Sequence, residues 1–200
     1  MTSLTTAARF GAIRFSLASL CVYATVAFGE GWLYTTLGRG GAYMLWTVLF
    51  ILLGSVALAP LAPDRTRIQF TTLFAGAFLA YAVGWIIAYF TLRGSVGEWI
   101  GSFAGCLLMA VVFAAAFRRM HLTQQLFVYL FAANSAGYFL GSILNGAFGG
   151  RPGMLLWGVA HGVFFGAGLG AAIWVGGGSG EVADDGEHIE NVKKEDVEMS

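Results

Sequence analysis

His161 is the one histidine set deep in an apolar stretch of this 200-residue chain. An imidazole there can face a proton or solute pathway, ligate a cofactor, or hydrogen-bond a neighbouring helix. Asn134 and Asn145 lie 11 residues apart in the preceding apolar segment, so on a helix they share a side. Ser135, Tyr138 and Ser142 accompany them. These groups would either line a narrow polar route or join helices through hydrogen bonds. Glu30, between Gly29 and Gly31, would bind a cation or pair with Arg39, Arg93 or Arg151. Arg118, Arg119 and His121 form a basic cluster suited to anionic lipid, or to an acidic partner such as this chain's own tail.

Several chemistries lack their residues. No acid lies deep in an apolar segment, which weakens a carboxylate relay. A haem held by two histidines would need a second deep one, but His121 sits at a segment boundary and His188 in the polar tail. No His/Glu pair stands at i, i+4, and no phosphate-binding loop pattern occurs. The only aspartate before the tail is Asp64, so no Ser/His/Asp set assembles. Cys21 and Cys106 both fall in apolar segments and read as small buried residues rather than a disulfide pair. No cofactor is assigned, and no nucleic-acid partner is expected.

The elements that must position these groups are membrane helices. The chain is 58% hydrophobic and 11% charged, with a mean hydropathy of +0.73, far from an ordinary soluble domain. The expected fold is an all-α polytopic bundle of six transmembrane helices at residues 12–28, 42–59, 68–90, 99–117, 126–148 and 154–175. A membrane barrel is excluded because the apolar runs are too long and do not alternate. The first segment follows Arg9 and Arg14 without a convincing cleavage site and is expected to remain as a helix. The connections fall at 29–41, 60–67, 91–98, 118–125 and 149–153. The halves show no sequence repeat, so an inverted-repeat transporter is not established.

Basic residues alternate along the connections. Arg9, Arg14, Arg65, Arg67, Arg118 and Arg119 face one side, against Arg39, Arg93 and Arg151 on the other. The richer side faces the cytoplasm by the positive-inside rule, so both termini are expected inside, in a multi-pass protein of the cytoplasmic (inner) membrane. Trp32, Tyr34, Trp46, Trp99 and Trp157 then fall near the outer interface.

Glycines recur every four residues. The last segment carries Gly158, Gly162, Gly166 and Gly170, which keep near one helix face and let another backbone approach closely. Gly76, Ala80, Gly84 and Ala88 repeat the pattern in the third segment, Gly101 and Gly105 in the fourth, and Gly137 and Gly141 in the fifth. These faces predict tight packing, with the fifth segment against the sixth, or a surface for a homo-oligomer or larger membrane complex.

The domain plan is a membrane region, 1–175, followed by a glycine linker and acidic cytoplasmic tail, 176–200, expected to be disordered. Three function classes remain. A small channel or transporter would place His161, Asn134, Asn145, Ser135, Tyr138 and Glu30 along a pathway. A non-catalytic subunit would use the glycine faces for assembly. An enzyme or haem protein would set a bound group beside His161. Transport leads because the polar side chains concentrate on two adjacent helices.

Overall fold

The computed structural model describes residues 3–178. The expected acidic tail lies outside the described residues. The helices are α1 (Leu4–Leu58), α2 (Arg67–Leu92), α3 (Gly94–Ala116), α4 (Thr123–Phe148) and α5 (Gly150–Gly176), with short 3-10 helices at Ala59–Leu61 and Met120–Leu122. Among the described residues, five helices are long and apolar enough to cross a membrane.

The main departure from expectation is at the N-terminal third. Segments 12–28 and 42–59 belong to one 55-residue element, and the expected connection 29–41 is helical apart from Gly38. Leu33 explains the continuation. It is buried with Val22, Ala42 and Trp46, so the apolar face extends through a stretch whose glycines suggest a loop. Gly38, at φ 68° and ψ 170°, leaves the helical region for one that is essentially glycine-only. There the element folds back on itself. Phe15 of the first arm (residues 4–37) stacks on Phe50 of the second (39–58), ring centroids 6.1 Å apart.

The same backbone conformation recurs at Arg93 (φ 54°, ψ 167°) and Gly149 (φ 62°, ψ 170°). Positions 38, 93 and 149, almost evenly spaced, thus each mark a reversal of the chain, and at the latter two the next residue, Gly94 (φ 58°) or Gly150 (φ 51°), is left-handed as well. They close three helical hairpins: the two arms of α1, α2 with α3, and α4 with α5. The expected connections 91–98 and 149–153 shrink accordingly, since helix resumes at Gly94 and Gly150. Pro152 falls in the first turn of α5, where its missing N–H costs nothing. The links between hairpins are longer and each contains a 3-10 turn. In the first of them, Thr66 and Gln69 form a reciprocal capping box that starts α2. Arg65 donates from Nη2 to the Ala116 carbonyl at 2.8 Å, satisfying a free acceptor at the end of α3.

α5 is the most enclosed helix and lies between α1 and α4; α2 pairs with α3, α3 meets α4, and α1 meets α2. The glycine stripe of α5 faces the first arm of α1. A methyl at Gly158 would stand 2.6 Å from Tyr23 Cβ, at Gly162 2.6 Å from Ser16 Cα, and at Gly166 2.5 Å from the Gly11 carbonyl oxygen. Gly170 abuts Ala7 in the same way. The expected contact with α4 uses other positions, Gly137 against the His161 backbone and Gly141 against the Trp157 indole. Two hairpins thus seat a tryptophan in a glycine notch on the opposite arm, Trp157 at Gly141 and Trp85 at Gly101. Gly84 packs against Ala104 and Gly105, but Gly76 is exposed, with open space where a side chain would go. Cys106 is buried whereas Cys21, expected inside, is exposed on the outer face of α1. Phe15, Phe70, Phe74, Phe113 and Phe165 fill the core between the helices.

Candidate functional site

His161 reaches the centre of the bundle because Gly158 and Gly162 beside it let α1 come close and Gly137 does the same for α4. Its Nε2 lies 3.2 Å from Asn134 Oδ1. The Tyr81 hydroxyl of α2 donates to that same oxygen at 3.0 Å. Asn134 Nδ2 donates to Ser102 Oγ of α3 at 2.8 Å. Ser102 Oγ in turn shares a hydrogen bond of 3.0 Å with Ser135 Oγ. Four helices therefore each contribute to one connected polar cluster. Asn134 is fully buried and His161 is 8% exposed.

Aromatic rings surround the imidazole. Phe165 stacks on it at 5.3 Å and 14°. Tyr23 and Phe50, one from each arm of α1, approach at 6.2 and 6.4 Å with steeply inclined rings. His161 Nδ1 is buried and has no hydrogen-bond partner. Beside the cluster, Ser19 Oγ donates to the Gly158 carbonyl at 2.8 Å, a direct polar tie between α1 and α5.

The structure thus brings His161, Asn134 and Ser135 together and leaves the other sequence candidates apart. Tyr138 points its hydroxyl to Glu98 Oε1 at 3.4 Å, one turn away from Asn134. Asn145 stands at the α4–α5 turn, its side-chain oxygen against Gly153. Ser142 is exposed. Glu30 is exposed on the far part of the first arm, near Tyr34. Arg118 is exposed at the α3–α4 link, and Arg119 is half-buried with its guanidinium beside Gly178 at the end of α5. Arg151 lies over the Phe28 ring at 5.0 Å, at the opposite end of the bundle. A surface depression lined by Ala24, Phe28, Trp32, Leu33 and Leu45 lies on α1, apart from the cluster.

Tyr81 and Ser102 are the members that sequence reading misses. Each sits on a small-residue face, Tyr81 between Ala77 and Gly84 and Ser102 between Gly101 and Gly105. A polar side chain on a close-packing face was the available signal. Chemically, the arrangement can orient an imidazole, hold one of its nitrogens in a hydrogen bond and leave the other without a partner on a ring packed among aromatics. Among known proteins, no family model, no characterised protein and no solved structure matches this chain.

Proposed function

We propose that the chain crosses the cytoplasmic membrane six times, with both termini inside, and that it moves a small solute or ion by way of the central cluster. The reading rests chiefly on one observation: five polar side chains from four helices converge in an otherwise apolar bundle. Polar and ionisable groups at membrane depth are costly and mark functional positions more often than chance placement would. The fold-back at Gly38 supports six crossings, since each arm of α1 is about as long as a span requires or longer. The bias of arginines toward 65, 67, 118 and 119 supports the orientation. Three tight hairpins joined by longer links are units that could shift as bodies and open the cluster alternately to each side.

An assembly reading would have to use another face, since the glycine stripe of α5 packs against α1. Purified protein in liposomes, tested against a panel of small solutes and ions, is the direct experiment. Flux that falls at least tenfold in His161→Ala and Asn134→Ala but persists in Ser142→Ala supports transport. A folded protein with no flux across the panel rejects it.

A further inference from the structure

A neutral imidazole has one N–H and one lone pair, and its neighbours decide which nitrogen carries which. Asn134 Oδ1 is an acceptor only. It already receives the Tyr81 hydroxyl proton and faces His161 Nε2. His161 must therefore donate from Nε2. Turning the Asn134 amide over would take that acceptor from the buried Tyr81 hydroxyl and replace it with a second donor. The tautomer is thus set by the cluster, and the lone pair is left on Nδ1.

Nδ1 is buried without a partner, on a side chain more than nine-tenths enclosed. The rings of Tyr23, Phe50 and Phe165 pack around the imidazole that carries it. No described carboxylate or guanidinium bonds to it. A buried lone pair repels anions and attracts a hydrogen-bond donor, more so a donor with positive charge. An orphaned acceptor in this position also has a cost that a bound donor would remove.

We propose that His161 Nδ1 is the ligand-taking atom of the protein, and that it accepts a hydrogen bond from a small donor, ammonium or a water molecule, held beside the imidazole within the bundle. The proposal deepens the transport reading by naming the class of solute. Asn134 acts here as a positioning residue: it holds Nε2–H and so leaves the lone pair on Nδ1, in the way an outer carboxylate or carbonyl orients a ligating histidine.

The test is ¹⁵N magnetic resonance of the full chain in lipid nanodiscs, labelled at histidine. His121→Gln with His188→Gln leaves His161 as the one histidine of the three. The expected spectrum has a protonated Nε2 and an unprotonated Nδ1. Ammonium chloride, compared with equal sodium chloride, should move the Nδ1 resonance in the direction of hydrogen bonding. An Nδ1 already hydrogen-bonded in plain buffer, with exchange to water protons, identifies water as the donor and supports the same site. A proton on Nδ1, or an Nδ1 that remains a free acceptor in every condition, overturns the proposal. The readout is binding alone. A shift with no flux of any solute in the panel would therefore remove the transport reading and keep the site, while flux of other solutes without any shift would do the reverse.

Discussion

Asn134 can join the cluster because an amide both accepts and donates without carrying charge. It receives from Tyr81 and His161 and gives to Ser102. Asn134→Leu would leave the buried Tyr81 hydroxyl and His161 Nε2 unpaired and Ser102 with Ser135 as its remaining partner. Hydrogen bonds between membrane helices average about 0.6 kcal/mol and reach about 1.7, so the substitution should destabilise by roughly 1–3 kcal/mol. Reversible unfolding in mixed micelles measures this directly. Tyr138→Phe is the matched control. Its 3.4 Å link to Glu98 is long for a hydroxyl donor, so its loss should cost under about 0.5 kcal/mol. Equal costs for the two substitutions would contradict the central place given to Asn134.

Helix pairing makes sharper demands than helix formation. Gly166 faces the Gly11 carbonyl with no room for a side chain, while Gly76 faces outward. Gly166→Leu should separate α1 from α5 at a cost above about 3 kcal/mol, beyond ordinary overpacking, because backbone rather than a movable side chain is in the way. Gly76→Leu should change stability by less than about 0.5 kcal/mol. Recovery of folded monomer by size exclusion and the midpoint of thermal unfolding will distinguish them; sensitivity at Gly76 alone would place the important face on the other side of the bundle. The hairpin turns allow a second comparison. Arg93 adopts the backbone region that Gly38 and Gly149 occupy, at a strain of roughly 1–3 kcal/mol for a residue with a side chain. Arg93→Gly should raise stability by about 1 kcal/mol, and Gly38→Ala should lower it by a similar amount. A destabilising Arg93→Gly would mean that the arginine's own contacts outweigh the strain.

The molecule as a whole has two ends. The tight turns at Arg93–Gly94 and Gly149–Gly150 are joined at one end by the tip of the α1 hairpin, and the 3-10 links and Arg65 cluster at the other. With Cys21 and Cys106 both replaced, single cysteines test whether this polarity is the membrane topology. Thr36→Cys, Ser95→Cys and Arg151→Cys should react with an impermeant thiol reagent from outside. Arg118→Cys should react only after the membrane is opened. Labelling of Thr36 and Arg118 positions from the same side would show that the arms of α1 do not both cross.

Composition alone determined that the chain is all-helical and suited to a membrane, because apolar runs of that length leave the helix as the state that satisfies every backbone group in lipid. The four-residue glycine step also determined that α5 would pack closely, and His161 and Asn134 were visible as polar groups in the wrong solvent. Their meeting was not visible. Nor was the choice of α1 rather than α4 for the glycine stripe, the inclusion of Tyr81 and Ser102, or the outward turn of Gly76. A helix sequence specifies which side chains share a face but not which helix that face will meet, since lipid tails are as apolar as the neighbouring side chains and contribute little preference. Only the backbone contact across Gly158, Gly162 and Gly166, and the tight reversals that bring the helices to it, decided where the imidazole would stand.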